Sequence, residues 1–386
     1  MEFDLQWLLL GLPLAFALGW VASRIDLRQW RREQREARRA YFNGLNLLLN
    51  EQHDKAIDAF IEAVQREPDS ADLHFALGNM FRRRGEYERA VRVHEHLLQR
   101  ADLPAAMRLR AQDALAQDFT KAGLLDRAEP AYRALEGTSF DTEARIALLS
   151  LHERARDWRA AIAVAQKLEQ TGTASFAARI AHYWCEIADE AEARQQADAA
   201  EHALAQARSA APQAARPLVQ AGRRQARLGE HMQALQTFGE LLVVQPAAFN
   251  LVARDHAASA LACGQQAHAL EQLDAAYRQE PSSDLLAAIT LLDAEPVRQQ
   301  RWLREHLALQ PTLGASQQLL SLAADTGVTL DSADARMLGE AVARAARPLQ
   351  RYRCAACGFE TQRYFWQCPG CMVWDSYPAL RLEDQA

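Results

Sequence analysis

LGNMFRRRGEYERAVRVHEHLLQR, residues 77–100, reads as two short helices joined by a glycine turn. The first helix carries a small residue, Gly78, and Gly85 marks the turn. The second carries Ala90 and, one helical turn later, the large His94. GLNLLLNEQHDKAIDAFIEAVQREP (44–68) and AGRRQARLGEHMQALQTFGELLVVQP (221–246) repeat the same order, and each closes on a proline. Along the chain the alanines fall at 56, 90, 128, 161, 200, 234 and 269, at intervals of 34, 38, 33, 39, 34 and 35. Four places after them come Phe60, His94, Tyr132, Ala165, Leu204, Phe238 and Leu273. The early small position is Gly44, Gly78, Ala116, Ala188, Gly222 and Ala257, with Leu149 out of character. Glycines recur at the turn as Gly85, Gly123, Gly229 and Gly264.

Small residues let two helices approach closely, a large residue fills the gap to the next pair, and proline ends the second helix. A period of this length marks a stack of helical pairs. The pattern resembles about seven tetratricopeptide repeats over residues 37–283. An eighth, degenerate pair runs through WLREHLALQP (302–311), and further helices reach about Arg347. The expectation is an all-α fold in which a repeat array with capping helices, residues 41–347, stacks into a superhelix. Its concave groove would bind a peptide or protein, although a fold alone does not name the ligand. The array shows no strand alternation, glycine-rich phosphate loop or nucleophile elbow. Its histidines are scattered, and His94 and His96, two apart on a helix, cannot share a metal on one face. They read as surface or packing residues, and the chain reads as a non-enzyme.

Length and charge agree with this. A chain of 386 residues has room for two or three domains. A net charge of −6 shows no global affinity for nucleic acid. Cys185 and Cys263 stand singly in helical patterns and read as small buried hydrophobes. No dispersed cysteine framework suggests a secreted disulfide protein, so the thiols point to a reducing compartment.

LQWLLLGLPLAFALGWVAS, residues 5–23, contains no charged side chain. At helical rise it spans roughly 28 Å, close to the hydrocarbon core of a bilayer. The leading side chains Glu2 and Asp4 are wrong for a cleaved signal peptide. Arginines follow at 24, 28, 31, 32, 35, 38 and 39, against only Asp26, Glu33 and Glu36. Residues 1–23 therefore read as a single-pass anchor whose N-terminus lies outside and whose bulk is cytoplasmic. Residues 24–40 read as a basic juxtamembrane helix or linker, with 24–39 placed to meet anionic lipid headgroups.

The other end holds the remaining chemistry. CAACGFETQRYFWQCPGC, residues 354–371, contains two C-x-x-C turns, Cys354/Cys357 and Cys368/Cys371, separated by ten residues. Such a turn places both sulfurs on one side, and two facing turns make a tetrahedral four-cysteine metal site. Gly358 suits the turn after the first pair, whereas the second is followed by Met372, whose side chain disfavours the same geometry. Arg351, Arg353 and Arg363 are near enough in sequence to offset the site's negative charge. Seven aromatics (Tyr352, Phe359, Tyr364, Phe365, Trp366, Trp374, Tyr377) crowd the segment and are expected to dock it on the array. A rubredoxin-like domain over 348–386 follows, held by the metal because so short a module has little core of its own. Four thiolates suit iron or zinc alike and leave no position for a water nucleophile.

An apolar anchor, a tetratricopeptide array and a terminal rubredoxin-like pair of knuckles together resemble the lipopolysaccharide assembly protein B family of Gram-negative bacteria. The resemblance is closest in residues 44–60, 77–94, 122–129 and 352–371. It implies an inner-membrane protein facing the cytoplasm that restrains lipopolysaccharide synthesis. It further implies an adaptor for the membrane protease FtsH that promotes degradation of the lipid A deacetylase LpxC, with Cys354, Cys357, Cys368 and Cys371 as metal ligands. A scaffold gathering lipopolysaccharide enzymes at the membrane is the alternative. An electron-transfer iron site and a nucleic-acid-binding tail are weaker readings. No flavin or nicotinamide motif accompanies the first, and a membrane tether with acidic balance opposes the second.

Overall fold

The computed structural model describes residues 52–326 and 345–385, apart from Thr173, Ala294 and Pro311, with a few isolated positions elsewhere. Apart from Phe16 and Trp20, the expected anchor and basic linker lie outside the described residues, as does Gly44. Among the described residues no helix is long and apolar enough to cross a membrane. The chain divides into two compact units, residues 1–160 and 161–386.

In the first unit the helices are α1 (His53–Arg66), α2 (Ala71–Arg84), α3 (Tyr87–Gln99), α4 (Ala105–Lys121), α5 (Leu125–Arg133) and α6 (Asp141–Ala155). The division falls in the first turn of α7 (Trp158–Gln170). The second unit continues with α8 (Ala177–Ala193), α9 (Ala197–Ala210), α10 (Ala215–Arg227) and α11 (His231–Val244). A 3₁₀ turn, Pro246–Leu251, leads to α12 (Ala253–Cys263), α13 (Gln266–Gln279), α14 (Ser283–Leu292), α15 (Pro296–Leu309) and α16 (Leu313–Thr326).

The periodic positions of the sequence are the core. All seven periodic alanines are buried, and so are Phe60, His94, Tyr132, Ala165, Leu204, Phe238 and Leu273. The small–large pairing is literal. A methyl on Gly78 would lie 2.5 Å from His94 Nε2, and one on Gly222 would lie 2.3 Å from Phe238 Cε1. Only glycine permits these helices to close at that distance. Burial is local, one pair against the next. Phe60, Leu77 and Phe81 form one cluster; Cys185, Leu204 and Ala207 form another. That is how a solenoid is stabilised.

Gly85, Gly123, Gly229 and Gly264 all take positive φ at the turns, as their spacing requires. Arg156 (φ 58°) and Gln195 (φ 59°) adopt the same left-handed turn without glycine, which is why sequence reading passed over them. Ion pairs also follow the period. Arg127–Glu95 (2.8 Å), Arg208–Glu240 (2.6 Å) and Arg223–Asp255 (2.8 Å) each join residues 32 apart. Being exposed, each contributes under about 1 kcal/mol. Cys185 is fully buried, and burial pushes its thiol up to about 12. Cys263 departs from expectation: it is only half-buried, its thiol donating to Ser259 O at 3.1 Å.

Candidate metal centre and its docking face

The C-terminal segment folds as two knuckles of matching geometry. In the first, Gly358 N–H donates to Cys354 O (2.8 Å) and Cys354 N–H to Phe359 O (3.0 Å). In the second, Met372 N–H donates to Cys368 O (2.8 Å) and Cys368 N–H to Val373 O (3.0 Å). The turn residues Gly358 (φ 76°) and Met372 (φ 61°) are both left-handed. Methionine therefore takes the conformation that glycine would take for less. The short strands β1 (Tyr352–Arg353) and β2 (Glu360–Thr361) pair antiparallel and close the first knuckle.

The knuckles bring Cys354, Cys357, Cys368 and Cys371 together, with all four sulfurs within 4.8 Å of one another. Cys354–Cys371 is 3.7 Å and Cys357–Cys368 is 3.6 Å. A tetrahedron with thiolate bonds of about 2.3 Å has edges of about 3.8 Å, so the cluster fits one ion. The four sulfurs differ in surroundings. Cys354 and Cys368 are buried, Cys371 is half-buried and Cys357 is exposed. The Ser376 hydroxyl, 3.2 Å from Cys354 Sγ, is the main group drawing that thiol down to about 6, with the backbone N–H groups of Cys357 and Ala356 adding to it. Cys368 is lowered too, whereas the neighbouring thiols push Cys357 and Cys371 up, so the case for an ion rests on the placement of the four sulfurs.

Two of the three nearby arginines are engaged with a carboxylate. Arg353 grips Glu360 at 2.7 Å and Arg351 lies 3.9 Å from the same carboxylate. The aromatics divide their work. Tyr352 and Tyr377 form the small core around Cys354 and Cys368, whereas Phe359 and Phe365 are exposed. Trp366 and Trp374 reach the repeats.

There the domain is fastened along α8, α10, α14 and α16. Trp374 stacks on His182 of α8 at 4.5 Å and 20°, and His182 Nε2–H donates to Asp375 at 2.7 Å. The Arg216 guanidinium of α10 lies 5.9 Å from both Trp366 and Trp374 and is paired to Glu186 (2.7 Å) and Asp189 (3.1 Å). Arg381 reaches Asp284 at 3.1 Å. The closing 3₁₀ turn, Leu382–Asp384, sets two carboxylates at helix N-termini, where unpaired N–H groups favour negative charge. Asp384 accepts from Ser283 N–H (3.0 Å) and Oγ–H (2.9 Å) at α14, and Glu383 accepts from Gly314 N–H (2.8 Å) at α16. Sequence reading found the ligands and expected the aromatics to dock the segment, as Trp366 and Trp374 do, but it named none of the partners on the repeats. The His182–Asp375 bond spans 193 positions, and no local spacing announces it.

Residues 352–377 match the rubredoxin metal binding domain family. Among solved structures, a tetratricopeptide repeat protein from Parabacteroides merdae is similar over 80% of this chain and 98% of its own, at 13% identity and a TM-score of 0.32. Lipopolysaccharide assembly protein B of Haemophilus influenzae is 26% identical over 96% of this chain and 97% of its own. The protein of that name in Escherichia coli K12 is 30% identical, with 98% of each chain covered. At that identity and coverage, the chain belongs to the lipopolysaccharide assembly protein B family.

Proposed function

We propose that this protein acts in lipopolysaccharide assembly as a membrane-anchored adaptor facing the cytoplasm. In this reading it presents the deacetylase LpxC to the FtsH protease and so limits lipid A synthesis. The observation that carries the reading is family membership along the whole chain, repeat array and metal domain included. Residues 1–23 would confine it to the membrane and so raise its effective concentration toward a membrane-bound protease. Residues 24–39 would lie against anionic headgroups. The repeats supply a peptide- or domain-binding surface, and the metal domain, fastened to four helices, fixes the shape of that surface. The reading assigns the chain no reaction of its own, and the metal, zinc or iron, a structural role.

The test is the half-life of the deacetylase in cells with the full chain, no chain, or a chain lacking residues 1–23. A longer half-life without the chain, or without its anchor, supports the adaptor. An unchanged half-life with altered lipopolysaccharide supports instead a scaffold that gathers biosynthetic enzymes without proteolysis.

A further inference from the structure

The four residues Trp374-Asp375-Ser376-Tyr377 face two ways. Trp374 and Asp375 hold His182 of α8, by stacking and by a 2.7 Å hydrogen bond. Ser376 Oγ lies 3.2 Å from Cys354 Sγ, and Tyr377 OH lies 3.7 Å from Cys368 Sγ, the two buried sulfurs. Asp375, at φ 51°, makes the bend between the two halves, a conformation that aspartate tolerates better than most residues. The strap is tied to both knuckles, with Ala355 N–H donating to Ser376 O and Asp375 N–H to Trp366 O, each at 2.8 Å.

Each hydroxyl has a second acceptor. Ser376 Oγ–H reaches Val373 O at 3.1 Å, and Tyr377 OH reaches Phe359 O at 3.3 Å. Both carbonyls already accept a backbone N–H, from Cys368 and Cys354 respectively. The hydroxyl hydrogens can therefore turn to the sulfurs without leaving a buried carbonyl unpaired. A thiolate only accepts hydrogen bonds, so with an ion holding the four cysteines as thiolates both hydrogens would turn inward. Groups of this kind orient metal ligands and tune them.

We propose that residues 374–377 couple metal retention to docking on α8, with Ser376 and Tyr377 as positioning residues of the metal centre and His182 as a remote determinant of how long the metal stays. The proposal rests on the reading that the four cysteines hold an ion. Coupling of this sort is reciprocal: if the metal strengthens the grip on His182, then His182 must strengthen the grip on the metal by the same factor.

The experiment uses the full chain in detergent, loaded with zinc, and follows release to an excess of a chromogenic chelator. His182→Ala is expected to release zinc at least about tenfold faster, which corresponds to about 1.4 kcal/mol off the barrier to release. His182→Phe, which keeps the stack and loses the hydrogen bond, is expected to fall between it and the parent. Ser376→Ala and Tyr377→Phe are each expected to accelerate release severalfold. In the reverse direction, chelation is expected to raise amide hydrogen exchange in residues 177–193. Helical content and melting of the repeats, followed alongside, separate this effect from general unfolding. Release from folded His182→Ala within twofold of the parent overturns the coupling, as does unchanged exchange in α8 after chelation. A chain that binds no equivalent of zinc overturns instead the reading of the metal centre.

Discussion

Gly78 and His94 occupy adjoining space so tightly that a methyl on the glycine would lie 2.5 Å from the imidazole Nε2. The histidine is wholly buried, with an aspartate at its other nitrogen, and cannot swing away. Gly78→Ala would gain up to about 1 kcal/mol of helix propensity. It would also overpack the core, typically at a cost of about 1–3 kcal/mol, and here toward the upper end because the ring is pinned. A net loss of about 2 kcal/mol is expected in thermal or denaturant melts. Gly222→Ala against Phe238 should behave alike, and a neutral result at both would mean the helices can part without loss.

Behind His94 lies an ion network. His94 Nδ1–H donates to Asp118 Oδ2 at 2.5 Å, and Arg82 Nη1 donates to Asp118 Oδ1 at 2.9 Å and to Ala114 O at 3.0 Å. Removing one member of a buried charged set typically costs about 3–5 kcal/mol, here toward the lower end because Arg82 keeps Ala114 O and Asn79 Oδ1 as acceptors. Asp118→Ala is expected in that range. Leucine occupies the position of His94 at Leu204 and Leu273, so Asp118→Ala/His94→Leu is expected to recover part of the loss. A double variant no better than the single would show that the imidazole is not what the carboxylate serves.

The repeats were legible because their stabilising contacts are local and periodic: Ala90 and His94 announce a helix pair through spacing alone. The knuckles were legible because two C-x-x-C turns impose their own geometry. What sequence reading missed carries no residue type that announces it. Arg156 and Gln195 hold a glycine-type turn without glycine. His182 looks like any buried helical histidine until the fold brings Trp374 onto it. Arg351 and Arg353, close to the cysteines in sequence, are turned toward Glu360 by the pairing of β1 with β2.

His256 of α12 gives a pH signature. Its ring is buried between Phe249 (5.3 Å) and Phe238 (6.2 Å), and burial pushes its pKa down from 6.5 to about 4. The unfolded chain thus takes up a proton before the folded one does. The contribution of His256 to stability is present above about pH 6.5 and is lost as pH drops toward 4, by about 3 kcal/mol over that window. His306, also lowered by burial, adds in the same direction. Melts of the parent and of His256→Leu at pH 7, 5 and 4 check this. The variant is expected to gain on the parent as pH falls, while equal slopes would place a protonated ring inside the fold.

The two knuckles offer a clean comparison of backbone strain. At Gly358 an added Cβ meets nothing within 4 Å, so Gly358→Ala changes the backbone energy and little else. A left-handed non-glycine residue costs about 1–2 kcal/mol, and that loss is expected in the metal-loaded domain. Met372 already carries this strain, and its side chain is largely exposed. Met372→Gly would relieve about 1–2 kcal/mol of strain, offset by about 0.5–1 kcal/mol from the greater freedom of glycine in the unfolded chain. The same entropy term offsets part of the strain in Gly358→Ala, so the net expectation is a few-fold change in each, slower metal loss to a chelator for Met372→Gly and faster loss for Gly358→Ala. If both substitutions accelerated release, the Met372 side chain, and not the turn, would be what holds the second knuckle.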